Sequence, residues 1–119
     1  MGGYLFVYGT LHPERAPQAI ADVARRMRPV GAGWIRARRY ELGAYPGAVL
    51  DERARVDGEV FALPSDGDTL ARLDAYEDYR ADHPEGSLYL RVETTVMMHD
   101  GSQRQCWVYV YNQVLPQGA

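Results

Sequence analysis

Lysine is absent from this 119-residue chain; all 13 of its basic residues are arginine. With 16 acidic residues the formal net charge is -3, which argues against a general nucleic-acid binder. A single cysteine, Cys106, excludes an internal disulfide framework. It lies in an apolar run and reads as a small buried hydrophobe rather than a nucleophile. No apolar segment reaches membrane-spanning length, so no membrane partner is expected. Met1-Gly2-Gly3 brings no charged leader region, and a myristoylation pattern fails at Phe6, where Ser or Thr is required. The expected location is therefore cytoplasmic. His12, His83 and His99 lack metal-ligand spacing. Ser65, Ser87 and Ser102 have no nucleophile-elbow context, and there is no phosphate-binding loop. Neither a metal nor a cofactor is expected.

What is present suits one domain over residues 1–119, with ordinary apolar and charged fractions of 46% and 24%. Tyr4 to Tyr8 is an aromatic and branched run, the composition of a strand covered on both faces. Gly9-Thr10 stops it, and Pro13 limits any continuation. Backbone N–H groups of Thr10 and Leu11 could meet an oxyanion or a carboxylate there. The same residues also suit an ordinary strand–turn junction.

A helix is expected from about Pro17 to Pro29, with Ile20, Val23, Ala24 and Met27 facing inward and Arg25, Arg26 and Arg28 near its end. A strand follows from Val30 to about Arg39, its glycines marking a bulge or a close crossing. Tyr45-Pro46-Gly47 reads as the centre of a turn, Ala48 to Leu50 as a strand, and Asp51 to Arg55 as a hairpin loop. Val56 to Leu63 is a further strand. Asp68 or Ser65 is expected to cap a second helix over Thr69 to Glu77. Arg80 to Gly86 is a loop long enough to act as a flap. Leu88 to Met98 and Gln105 to Tyr111 are strands joined through Asp100-Gly101, and Asn112 to Ala119 is a loose tail. The fold class is α+β: a small barrel-like mixed, largely antiparallel sheet with two short helices.

One residue conflicts with its surroundings. Leu70, Leu73 and Glu77 are spaced i, i+3, i+7 and share a helix face. That face is the apolar one, so Glu77 points where leucines point. A carboxylate there is costly unless paired or working, and desolvation raises its pKa. A structural ion pair, or a swing to water from the last turn, would also account for it. Asp74 is only partly on this face, and Asp78 should point away.

Val7-Tyr8-Gly9-Thr10-Leu11 resembles the signature of the γ-glutamylcyclotransferase-like superfamily, in its AIG2-like and γ-glutamylamine cyclotransferase-like branch. The resemblance extends in order through Gly58-Glu59-Val60, Leu73-Asp74-Ala75-Tyr76-Glu77 and Tyr89-Leu90-Arg91 to an aromatic last strand. It covers Leu5 to about Tyr111 and implies a compact β-barrel with flanking helices and a pocket at one end. It implies a lyase- or acyltransferase-type reaction by intramolecular aminolysis, which turns a γ-glutamyl amine, amino acid or peptide into 5-oxoproline plus free amine. It makes Glu77 the catalytic acid/base. Tyr8 would line the pocket, and Gly9, Thr10 and Leu11 would hold the substrate by backbone N–H groups. Arg91 would position a carboxylate, although pairing with a neighbouring strand acid suits it as well. Tyr45 and Tyr109 are candidate walls. The implied partner is a small-molecule γ-glutamyl substrate. A non-catalytic small-ligand-binding module on the same fold is the alternative, and a protein-interaction domain using the arginines from Arg25 to Arg39 is a third reading.

Overall fold

A computed structural model describes residues 3–8, 18–41 and 46–113. Five strands close a barrel and two more form a separate hairpin. In chain order they are β1 (Tyr4–Val7), β2 (Arg28–Ile35), β3 (Ala37–Glu41), β4 (Pro46–Leu50), β5 (Val56–Ala62), β6 (Tyr89–Met98) and β7 (Gln103–Tyr111). The helices are α1 (Ala21–Ala24), entered through a 3-10 turn at Gln18–Ile20, and α2 (Asp68–Tyr76). The barrel order is β1-β5-β2-β6-β7, antiparallel except where β1 meets β7 in parallel at Leu5 and Trp107. This is the expected α+β class. Among the described residues no helix is long and apolar enough to cross a membrane.

The period-2 alternation of the strands divides the apolar side chains between two cores. Leu5, Val7, Phe61 and Tyr109 face outward against Ile20, Val23, Ala24, Met27 and Leu73 of the helical layer. Phe6, Val60, Cys106, Val108 and Val110 face into the barrel with Ile35 and Val96. The opening strand is thus covered on both sides, as its composition requires. Cys106 is part of the barrel core, and its burial pushes the thiol up to about 11. Ion pairs tie α1 to α2: Arg72 to Asp22 at 2.9 Å and Arg26 to Asp68 at 3.0 Å.

Several elements differ from expectation. The first helix ends early, and Arg28 and Pro29 begin β2. Its ladder with β5 shifts between Pro29 and Gly31, a bulge at Val30, just after the residue that has no N–H to donate. Pro46 and Gly47 open β4, paired with Glu41 and Tyr40, instead of centring a turn. Proline is tolerated as the first residue of a strand. Asp51 to Arg55 is a turn but joins no hairpin, because β4 pairs with β3 and β5 with β1 and β2. Asp66, rather than Ser65 or Asp68, caps α2 by accepting from the N–H groups of Asp68 and Thr69 and from the Thr69 hydroxyl. The stretch from Arg80 to Gly86 is braced, since the Ser87 hydroxyl accepts from the Arg80 N–H at 2.8 Å. Asn112 and Gln113 are held as well, donating to carbonyls of Pro84 and Ser87. Tyr45 and residues 114–119 lie outside the described residues.

Two glycines permit the strand crossings. A Cβ on Gly33 would stand 2.9 Å from the Met97 carbonyl oxygen, where β2 meets β6. On Gly58 it would stand 2.4 Å from the Val7 carbonyl oxygen, where β5 crosses the end of β1. Gly58→Ala is expected to destabilise the fold by about 1–3 kcal/mol, because backbone rather than a mobile side chain must move. Urea unfolding monitored by tryptophan fluorescence measures the change.

Candidate active site

One end of the barrel gathers the end of β1, the end of β7 and the start of β6. The hairpin β3–β4 packs beside it. The Tyr89 phenol donates to the Pro46 carbonyl at 2.8 Å. The Ala48 backbone lies near the Tyr8 phenol. The Arg39 guanidinium donates to the Tyr8 carbonyl at 3.0 Å. Tyr8 in turn donates its phenol proton to the Tyr109 carbonyl at 2.6 Å, which fixes its hydroxyl.

Helix α2 delivers two carboxylates here. It ends in a Schellman motif: the Asp78 N–H bonds the Ala75 carbonyl at 3.2 Å and the Tyr79 N–H bonds the Asp74 carbonyl at 2.9 Å. Asp78 takes the left-handed conformation, φ 55°, which Asp tolerates better than most residues. The Leu88 N–H then ties the Asp78 carbonyl to the start of β6. This closure sets Glu77 as the last residue before the turn, with its N–H on the Leu73 carbonyl at 3.0 Å.

Asp74 and Glu77 meet opposite surroundings. One Asp74 oxygen accepts from the Tyr109 phenol at 2.7 Å and from the Arg91 Nε at 2.8 Å. The side chains of Asp74 and Arg91 are 18% and 17% exposed, so this ion pair is shielded from water. Arg91 also lies over the Trp107 ring at 4.4 Å and near the Tyr79 ring at 5.6 Å. Its acid partner comes from the helix, not from a neighbouring strand. Asp78 points away as expected and pairs with Arg80.

Glu77 is half-buried and, among the described residues, its carboxylate makes no hydrogen bond or ion pair. Burial pushes its pKa up to about 7. Its place at the negative end of the α2 dipole acts in the same direction. Burial also raises the phenols of Tyr8 and Tyr109, and the Glu77 charge adds to both shifts. The Glu77 charge is felt by both rings, so this carboxyl lies on the same side of the barrel as Tyr8 and Tyr109. Near neutral pH the site therefore holds one half-protonated acid among phenols that stay protonated.

Of the residues singled out by sequence, Glu77, Tyr8 and Arg91 converge at this end of the barrel. Gly9, Thr10 and Leu11 lie outside the described residues. Asp74 and Arg39 were not anticipated as part of the site, and Tyr109 was expected only as a wall. A separate groove of about 440 Å³, lined by Trp34, Leu50, Thr95 and Met97 among others, shares no residue with the cluster. Among the described residues no group of His, Cys, Asp or Glu could hold a metal ion.

Residues 5–119 match the family described as gamma-glutamyl cyclotransferase, AIG2-like. Among solved structures, a protein from Arabidopsis thaliana is 28% identical with a TM-score of 0.70, covering 96% of this chain and 72% of that one. An AIG2-like protein from Mus musculus superposes with a TM-score of 0.74 at 22% identity, over 98% of this chain and 81% of its own. A structure described as a gamma-glutamyl cyclotransferase gives 0.68 at 15% identity, over 93% and 67%. The last two likenesses show a shared fold. No curated protein gives a significant match.

The raised Glu77 pKa has a sign that stability measurements read directly. Between its ordinary value of 4.5 and about 7 the unfolded chain ionises Glu77 while the folded chain does not. Stability therefore falls as pH rises through that window and levels off above it. Glu77→Gln removes the cost. The variant is expected to be more stable than the parent at pH 8 by roughly 2–3 kcal/mol, with the two converging at pH 4. Denaturant unfolding at the two pH values makes the comparison.

Proposed function

We propose, because the chain belongs to the gamma-glutamyl cyclotransferase, AIG2-like family, that it closes a γ-glutamyl compound to 5-oxoproline and releases the attached amine. The observation that carries the reading is the Glu77 carboxyl: sheltered, unpartnered among the described residues, and with a pKa of about 7.

The substrate carries its own nucleophile. Its α-amine attacks its own γ-carbonyl carbon, a five-membered lactam forms, and the bond to the leaving nitrogen breaks. Holding the chain folded supplies much of the acceleration, because the attack is already intramolecular. Two protons must pass from the attacking nitrogen, which starts as an ammonium, to the leaving nitrogen, which departs as one. A group that takes and then gives a proton works best when its pKa lies near the working pH. Glu77 meets that condition and an ordinary exposed glutamate does not. In this reading Tyr8 and Tyr109 wall the site. The N–H groups of Gly9, Thr10 and Leu11 hold the α-carboxylate or the developing oxyanion. Arg91 keeps a guanidinium near that end of the barrel while its Nε stays on Asp74.

The test is release of 5-oxoproline from γ-glutamyl amines, amino acids and peptides. Glu77→Gln is expected to lower kcat by about 10²- to 10⁴-fold, the range for loss of one general acid–base group. In the parent, kcat/KM should rise with pH through an inflection near 7, as the base form of Glu77 fills. A thermal shift with these compounds but no product would favour a binding module on the same fold. Turnover surviving the substitution would remove Glu77 from its role.

A further inference from the structure

Arg39 stands where the proposed reaction does not use it. Strand alternation puts it on the same face of β3 as Ala37, which is fully buried against the barrel. Across the ladder it faces Ala48, which is also buried and whose backbone lies near the Tyr8 phenol. Arginine on the barrel-facing side of a hairpin, two residues from one buried alanine and opposite another, is an unusual placement. Its stem runs past the core toward the end of β1, where Nη1 donates to the Tyr8 carbonyl at 3.0 Å. The side chain as a whole is 44% exposed.

Its other partner is weak. Nε meets the Glu41 carboxylate at 3.1 Å, and that carboxylate is 73% exposed. Exposed pairs of this kind contribute little, so another carboxylate could take Glu41's place. Two guanidinium charges act on the site phenols: Arg39 on Tyr8 and Arg91 on Tyr109. Arg91 is committed to Asp74 in a shielded pair. Arg39 is the cation with an exposed side chain and a replaceable partner.

Resting on the cyclisation reading, we propose that Arg39 reads the leaving group, binding the free carboxylate of an amino-acid or peptide leaving group at the rim. The γ-glutamyl half goes inward to Glu77, and the departing half points to solvent past Arg39. A planar guanidinium fits a carboxylate through two parallel N–H donors and gains nothing from a neutral alkyl chain. The chain is thereby a γ-glutamyl amino acid cyclotransferase in preference to one for simple γ-glutamyl amines. Arg39 is a specificity-determining residue, and Glu77 does the proton transfer.

Two substrates isolate the interaction. γ-Glutamyl-alanine and γ-glutamyl-ethylamine differ by one carboxylate on the leaving group. The parent is expected to prefer the first by tenfold or more in kcat/KM, mostly through KM. In Arg39→Met that preference should collapse to within about twofold of unity, and Arg39→Lys should restore part of it through charge alone. The ratio is measured on one preparation, so partial unfolding of a variant does not move it. A parent without the preference, or a preference that survives in Arg39→Met, overturns the assignment while leaving cyclisation intact. Equal losses on both substrates would mean that Arg39 only holds the Tyr8 carbonyl or the shared α-carboxylate. If the parent releases no 5-oxoproline from either compound, cyclisation fails and this assignment falls with it.

Discussion

The Arg91–Asp74 contact decides the electrostatics of this end of the barrel. A guanidinium here could have neutralised either of two carboxylates on the last turn of α2. It neutralises Asp74, at 2.8 Å, and the Tyr109 phenol completes the arrangement. Stacking against Trp107 holds the guanidinium plane in place. Once that cation is occupied, Glu77 keeps no opposite charge among the described residues, and burial raises its pKa unopposed. Two acids three residues apart are thus driven to different uses. One is a structural anion that ties helix to sheet. The other is a sheltered acid poised near neutrality, as the proposed proton carrier must be. Had Arg91 reached Glu77 instead, the opposite charge would have favoured ionisation and removed that poise.

The helix terminus makes this division possible. A carboxylate within the helix would be fixed by the leucine stripe. At the residue before a left-handed Asp78, the chain has already begun to leave α2. The Schellman bonds at Asp74 and Asp78 pin the backbone on both sides of Glu77. The Glu77 carboxyl is therefore carried on a rigid support although its own oxygens bond to nothing described. Rigid placement of an unpartnered acid is what a proton relay needs, because a mobile one would escape to water and return to an ordinary pKa.

Much of this was legible in the chain, for physical reasons that differ from element to element. The strands β1, β5, β6 and β7 announce themselves because burial on one face imposes period two and burial on both gives a continuous apolar run. Glu77 stands out because a helix brings i, i+3 and i+7 together. The start of β2 was hidden because Pro29 and Gly31 resemble loop punctuation, and a bulge absorbs both. Asp66 was passed over as a cap because Gly67 adds a residue between it and the helix. Asp74 was hidden for a deeper reason: its partners come from β6 and β7, and no local periodicity points to them. A signal existed nonetheless. Arg91 and Tyr109 lie equally far on either side of Asp100, and the Asp100-Gly101 turn with its left-handed glycine fixes that register. That register puts Arg91 opposite Tyr109, but it does not supply the helix whose Asp74 accepts from both.

The hairpin β3–β4 then explains why the site combines fixed and variable parts. It belongs to neither edge of the barrel and is fastened to it through the Pro46 carbonyl, which accepts from the Tyr89 phenol, and through the Arg39 guanidinium, which donates to the Tyr8 carbonyl. The first fastening does not depend on which side chains the hairpin carries, and the second depends on Arg39. Ala37 and Ala48 are fully buried against the barrel, where packing leaves room for small side chains. Arg39, directly opposite Ala48, keeps its length by running out toward solvent. Glu77 is carried by helix and turn, and Asp74 beside it by an ion pair, so a change there disturbs several elements at once. Arg39 answers to one strand position. In the proposed reading, chemistry and recognition consequently rest on different parts of the fold, and the second can shift while the first stays in place.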